Sequence, residues 1–509
     1  MISTFLPRPA PARGSEGSTV SPPARQWDGR RLSSLPSRWL LAPAFLAAVG
    51  VGALTALGPL KALLALLALT VMVCVWKWPV LAAYLIIGLT PLTVGISRGA
   101  VLPLVRPNEA VDLLVGGTLA LRGIVRLRTG QMPSIRFDRV ELSLLLMAVT
   151  SSVVPLLWML VRQEQISSAD ILYALVLWKF LGLYVIVRVS VSTDQQILRC
   201  LRLSVAAASV VALLAILQSL DLLGVPRFLN DYYAYSADLG GPAGGRASST
   251  LGLPAATADL MIYNLAIVSG LWIRYRRHRL LLSAAAALFV FGALAAGEFS
   301  SAIGLVVGLI CIAAVTNSPR LLTVFVPAGL IGSVLVWPVI SKRLSGFQSP
   351  YGLPPSWLGR LNNLRTYFWP KLFSDWNFLL GVRPAARIAV PSQITGYVWI
   401  ESGYTWLLWG GGIPLLASFI FFVVVTSRRG WLAARYGLGA ASVAGTATFV
   451  AVCVVTVLMT FDPHLTYRGA ADAMFGLIAL AAPRRPLQSG QGALSEPGTT
   501  LGEVRYGSG

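Results

Sequence analysis

The sequence is short of charge, of acid above all, and of the residues that build metal and disulfide sites. Of 509 residues only 12% are charged, 20 are acidic, and two are histidine, His278 and His464. The four cysteines, Cys74, Cys200, Cys311 and Cys453, fall in or beside apolar runs at wide spacing. They read as small hydrophobes rather than as disulfide partners or metal ligands. There is no phosphate-cradling glycine loop and no visible internal repeat. Within the apolar runs ionisable residues are scattered, chiefly Asp112, Lys179, Asp259 and Glu298. So sparse a set argues against a proton- or ion-coupled transporter, which needs more buried charge. Residues 1–38 are rich in Pro, Ser and Arg and lack an apolar core, which predicts a disordered tail rather than a signal peptide.

What is abundant is apolar surface. Hydrophobic residues make up 56% of the chain, and mean hydropathy is +0.71. Repeated runs of about 20 apolar residues without alternation predict an all-α, polytopic transmembrane helix bundle rather than a β-barrel. Candidate spans lie near 39–57, 62–76, 80–96, 109–121, 141–161, 171–187, 203–223, 252–273, 280–296, 301–316, 321–340, 402–426, 438–460 and 469–483. Several are short, so the expected number is 12 to 14. The helical domain then covers residues 39–483, and 484–509 form a second disordered tail.

The formal charge of +21 would suggest nucleic acid for a soluble protein. Here the cationic bias of cytoplasmic loops accounts for most of it. With the Arg-rich N-terminus in the cytoplasm, the basic segments 121–139, 274–279, 427–436 and 484–486 all fall inside. Segments 224–250 and 341–400 then face outward. Segment 341–400 carries seven cations (Lys342, Arg343, Arg360, Arg365, Lys371, Arg383, Arg387) against one acid, Asp375, with aromatics such as Trp369 between them. Outside the membrane the sidedness rule gives no reason for that excess, so a functional one is expected.

An arginine-rich surface just above a bilayer suits an anionic, lipid-linked ligand, because guanidinium forks bind phosphate oxygens bidentately. Aromatics can stack on sugar faces or sit at headgroup depth. Glu401, where the long loop re-enters the membrane, is placed to act as a base toward a sugar hydroxyl; the alternative is that it caps the following helix. Arg246 either binds phosphate or satisfies loop carbonyls. Arg365 lies on a stretch where Leu361, Leu364 and Phe368 recur at helical spacing, so it either binds or snorkels on an amphipathic interfacial helix, which Pro370 is expected to end. Lys179 reads first as a packing or ion-pair residue. Of the two histidines, His278 sits in a basic, inward segment, whereas His464 lies at the outer mouth of a late span.

The stretches "GRASSTLGLPAATADLMIYNLAI", "LWKFLGLYVIVRVSVSTDQQILRCLRLSVAAASVVALLAILQSL", "RPNEAVDLLVGGTLALRGIVR" and "RTYFWPKLFSDWNFLLGVRP", the last followed by "ESGYTWLLWGGGIP", carry a resemblance. In this order and spacing they are similar to the O-antigen ligase / O-antigen polymerase superfamily of membrane glycosyltransferases, over roughly residues 105 to 480. Arg365, Leu380, Gly381, Val382, Tyr404, Gly412 and Ile413 match its loop pattern, and Arg246 stands at an arginine position. Ala255 stands where the family has Asn after Pro, and Glu401 where ligases carry His; the loss of that His shifts the expectation from ligase to repeat-unit polymerase. The resemblance implies a multi-pass protein of the bacterial plasma membrane with both termini cytoplasmic. It would transfer glycan, without metal or nucleotide, from an undecaprenyl-diphosphate carrier to an acceptor sugar hydroxyl on the outer face. Glu401, Arg365 and Arg246 are the expected catalytic residues, and Arg360, Arg383, Lys371, Tyr404 and Trp369 the substrate-binding ones. Expected partners are the lipid-linked glycan, an acceptor glycan or lipid, the bilayer and other polysaccharide-assembly proteins. A ligase, a rod- or division-type peptidoglycan glycosyltransferase and a lipid-linked-glycan flippase are the rival readings. For the flippase the discriminating feature is where Lys179 and Glu298 point.

Overall fold

The computed structural model describes residues 58–97, 105–130, 137–233, 246–275, 278–318, 345–348, 354–390 and 396–482, with isolated positions between 323 and 341. The chain divides into two units, Met1–Ala68 and Leu69–Gly509, and α1 (Pro59–Lys77) begins in the first and ends in the second. Within the second unit follow α2 (Val80–Thr93), α3 (Pro107–Arg128), α4 (Arg139–Val161), α5 (Ser168–Ala174), α6 (Val176–Ser190), α7 (Asp194–Ser219), α8 (Val225–Tyr232), α9 (Pro254–Arg274), α10 (Arg279–Ala295) and α11 (Phe299–Thr316). After them come α12 (Pro355–Asn363), a π turn (Leu364–Phe368), α13 (Trp369–Leu372), α14 (Asn377–Leu380), the strands β1 (Arg387–Ala389) and β2 (Tyr397–Trp399), and then α15 (Gly403–Tyr436), α16 (Gly439–Leu458) and α17 (Ala470–Leu480). Among the described residues seven apolar stretches are long enough to cross a membrane: α4, α5 with α6, α7, α9, α11, α15 and α16; α2, α10 and α17 are shorter apolar helices. The protein is thus an all-helical bundle of the multi-pass type. Its one sheet among the described residues is the two-stranded β1–β2 hairpin, which hydropathy gave no reason to expect. Twelve of the fourteen anticipated spans coincide with a helix, while 39–57 and most of 321–340 lie outside the described residues.

Local chemistry sets the helix ends. Asp138 and Glu141 form a reciprocal capping box at the start of α4, in which Asp138 N–H donates to Glu141 Oε2 at 2.9 Å, and Arg139 N–H adds a bond to Asp138 Oδ1 at 2.6 Å. Thr193 and Gln196 do the same for α7. Helix α9 is buried on every face from Pro254 to Leu271, its polar residues Asp259 and Asn264 included.

The bundle has two ends. At one, Ala440 N–H donates to Asp194 at 2.9 Å, Arg274 to Ser442 at 2.9 Å and Arg435 to the Ala314 carbonyl at 2.8 Å. At the other, Thr250 donates to the Pro91 carbonyl at 2.7 Å, Ala247 N–H to the Ala295 carbonyl at 3.1 Å and Gly403 N–H to the Met459 carbonyl at 2.8 Å. The described parts of the basic segments 121–139, 274–279 and 427–436 sit at the first end. Those of 224–250 and 341–400 sit at the second, with Glu298 and His464.

Segment 354–402 is sutured to the bundle by a broken helix. Inside α15, Gly412 has φ +64° and ψ −155°, a backbone region open to glycine alone. The break turns the Trp409 carbonyl out of the helical ladder, where it accepts Val382 N–H at 2.7 Å and Arg383 N–H at 3.3 Å. Trp409 Nε1 returns a bond to the Ala385 carbonyl at 3.0 Å. Asp170 of α5, whose side chain is fully buried, takes Arg383 in a fork at 2.6 and 2.9 Å. Trp158 donates to Asn377 at 2.9 Å, and Arg162 to the Val382 carbonyl.

A Cβ on Gly412 would lie 2.1 Å from the Leu379 carbonyl oxygen, whereas one on Gly410 would meet nothing nearer than a Leu415 methyl at 3.9 Å. Gly412→Ala should therefore destabilise the protein by about 3 kcal/mol and open the 377–386 turn to protease. Gly410→Ala should leave both unchanged, and thermal unfolding with limited proteolysis of the pair checks this.

Candidate functional site

Charged side chains from five segments converge at the loop-bearing end of the bundle. Helix α12 starts with Pro355 and is amphipathic together with the π turn: Leu364 and Phe368 are buried, while Asn362, Arg365 and Thr366 are exposed. Pro370 does not end this helix, contrary to the sequence expectation. The π turn brings Trp369 N–H to the Leu364 carbonyl, five residues back, and Pro370 then sits in the first turn of α13, where its missing N–H is not needed.

From the inner face of α12, Arg360 reaches Asp462 Oδ2 with Nη1 at 2.7 Å and Glu401 Oε1 with Nε at 3.5 Å. Glu401 also accepts a hydrogen bond from Asn363. The cap of α15 is Ser402, which accepts Thr405 N–H at 3.3 Å, so Glu401 is held by the loop rather than spent on the helix end. Arg246, leading toward α9, pairs with Glu298 at 2.8 Å, and Glu298 stands at the start of α11 within electrostatic reach of Arg360, Glu401, Asp462 and His464. Beneath them His464 Nδ1 meets Asp259 Oδ2 of α9 at 2.7 Å, both side chains fully buried. His464 Nε2 finds no hydrogen-bond partner among the described residues, and the Tyr467 ring stands 4.7 Å from the imidazole.

The electrostatics follow from crowding of acids. Four carboxylates (Asp259, Glu298, Glu401 and Asp462) face Arg246, Arg360 and His464. Burial raises the pKa of Glu401 above the ordinary carboxylate value, with Arg360 opposing it. Burial likewise pushes Asp462 up to about 6 against the pull of Arg360 and His464. For His464 burial disfavours the imidazolium, but the Asp259 carboxylate outweighs it and the pKa is raised.

The remaining expected residues divide. Arg365 and Lys371 are exposed on the amphipathic segment at this end and make no ion pair among the described residues. Arg383 is engaged by Asp170 rather than lining the cluster. Tyr404 donates to the Thr456 carbonyl at 2.8 Å within the helix packing, and Trp369 is half-buried against the core. Lys179 pairs with Asp472 at 2.7 Å in the bundle interior. Arg387 stacks over Tyr397 and Trp399, at 4.4 and 5.6 Å. Asp462 and the pairing of Asp259 with His464 were not anticipated. The only sequence signal was the density of polar and aromatic residues in "FDPHLTYRG". Compared with protein-family models, curated proteins and solved structures, the chain finds no match.

Because Asp462 holds its proton more tightly folded than unfolded, the native state binds more protons between about pH 4 and 6. Stability from this group is therefore present below the unfolded pKa and is lost as pH rises through about 6. Asp462→Asn should flatten that slope, read as the unfolding midpoint against pH across this window.

Proposed function

We propose that the protein is a membrane glycosyltransferase of cell-surface polysaccharide assembly, a repeat-unit polymerase. It transfers glycan from an undecaprenyl-diphosphate carrier to an acceptor sugar hydroxyl on the outer face of the bacterial plasma membrane. What carries the reading is the meeting, at one end of the bundle, of an acid-rich polar cluster with an amphipathic helix bearing unpaired cations. Carboxylates accept sugar hydroxyls, and guanidinium and ammonium groups bind phosphate, so the two halves of the substrate each have a complementary surface. This divides the work differently from the sequence expectation. Arg246 and Arg360 are already engaged by Glu298, Asp462 and Glu401, and they order the carboxylates. Arg365 and Lys371 take the diphosphate, with the aromatic side of α12 and α13 at headgroup depth.

In this mechanism the acceptor hydroxyl gives its proton to Glu401 as its oxygen attacks the anomeric carbon. The anomeric C–O bond breaks and its electron pair leaves on the diphosphate, whose growing charge Arg365 and Lys371 stabilise. A carboxylate raised by burial, as Glu401 is, makes a stronger base than an exposed one. Inversion at the anomeric centre follows from single displacement.

The test is reconstitution of the purified protein with an undecaprenyl-diphosphate repeat unit, followed by product length. Wild type should give a ladder of lengthening glycans; Glu401→Gln should lower the rate by about 10²-fold or more, and Arg365→Ala should also lower it, with a weaker apparent affinity for the carrier. A single transfer to a different lipid would make the protein a ligase. Movement of labelled carrier between leaflets with no new glycosidic bond would defeat the catalytic reading.

A further inference from the structure

The interior of the bundle holds a second polar cluster, which the reaction does not use. Asn108 and Asp112 stand four residues apart on α3 and so share one helix face. Asn108 is 2% exposed, yet neither its Oδ1 nor its Nδ2 has a hydrogen-bond partner among the described residues. Both carboxylate oxygens of Asp112 are likewise buried and unpartnered. Across from them Lys179 of α6 pairs with Asp472 Oδ1 of α17 at 2.7 Å, and Asp472 Oδ2 accepts Gly469 N–H at 2.8 Å. Lys179 lies within electrostatic reach of Asp112 and Asp472 together, and more weakly of Glu109. Glu109 is occupied at the helix start, accepting Arg106 N–H at 3.2 Å. A cavity of about 20 Å³, lined by Thr90, Ser204, Gly469 and Asp472 with apolar side chains of α2 and α17, adjoins Asp472 and has room for one water.

We propose that Asn108, Asp112 and Asp472 hold one small monovalent cation of the Na⁺ class. Buried polar atoms in folded proteins are almost always satisfied, and here the three side-chain oxygens of Asn108 and Asp112 are not. With Asp112 ionised, the interior holds one ammonium against two carboxylates and lacks one positive charge, and an uncompensated buried charge is costly. A divalent ion beside Lys179 would overshoot neutrality, while a monovalent one restores it. A proton on Asp112 would balance the charge too and could be donated to Asn108 Oδ1, but it would leave the second Asp112 oxygen unmet. Oxygen ligands of this kind suit a hard cation.

The experiment measures thermal unfolding of the full chain in detergent, at fixed neutral pH and equal ionic strength, in NaCl, KCl and choline chloride. Wild type should melt about 3 °C higher in NaCl than in choline chloride. Asp112→Asn and Asn108→Leu should each abolish that increment, and Asp112→Asn should melt no lower than wild type in choline, since the uncompensated charge is gone. Glu164→Gln, an exposed acid outside both clusters, should keep it. Should Asp112→Asn fail to fold, Asn108→Leu and retention of radiolabelled Na⁺ by the wild-type protein on desalting still decide. Equal melting in all three salts, an increment that survives both variants, or a midpoint that responds to pH but to no cation would each overturn the proposal.

Discussion

The bond from Val382 N–H to the Trp409 carbonyl, at 2.7 Å, governs where the rest of the candidate site can be. A carbonyl inside a membrane helix must be satisfied, and one turned out of the ladder needs a donor from elsewhere in the protein. Gly412 turns it out, and the 377–386 turn supplies the donor. The same turn is then held by Asp170 through Arg383 and by Trp158 through Asn377. Only with that base fixed does the preceding α12 lie where Arg360 can span Asp462 and Glu401. Site and fold are joined at one broken helix.

Two polar clusters coexist in a chain with very few acids. The one at the loop-bearing end is open enough for Arg365 and Lys371 to remain exposed, and its carboxylates crowd around two guanidiniums. The interior one is closed, with Asn108 and Asp472 nearly inaccessible. Desolvation acts on both, but with different results. At the end cluster it raises Glu401 and Asp462 toward neutrality, which suits proton exchange with a substrate. In the interior it falls on Asn108 and Asp112, whose side-chain oxygens no described residue meets.

The helices were legible because their signal is apolar length, which a membrane-type bundle must display residue by residue. The alternation of basic and non-basic segments also sorted the helix ends into the two groups that the fold keeps apart. Arg246, Glu401 and Arg360 were singled out, and they do converge, since ionisable residues are so rare here that each stands out. Their partners were harder. Asp259 looked like any scattered acid in a span until the fold set it against His464, some 205 residues away. Arg383 read as one more cation in a cationic loop, because nothing in its neighbourhood announces a buried Asp170 from a helix 213 residues earlier. Ser402 displaced Glu401 as the helix cap, a choice between adjacent residues that spacing does not decide. The small β1–β2 hairpin lies in a stretch without strand-like alternation long enough to notice.

The π turn at Leu364–Phe368 amounts, in terms of chain length, to a single residue inserted into an otherwise continuous helix. One residue is about 100° of rotation. That offset lets Arg360 face the carboxylates from one side of the insertion while Lys371 faces outward on the other. Related chains that lacked this one residue would keep every side chain of the segment and still present its cations in a different direction. In this loop, counting residues between arginines matters as much as counting the arginines.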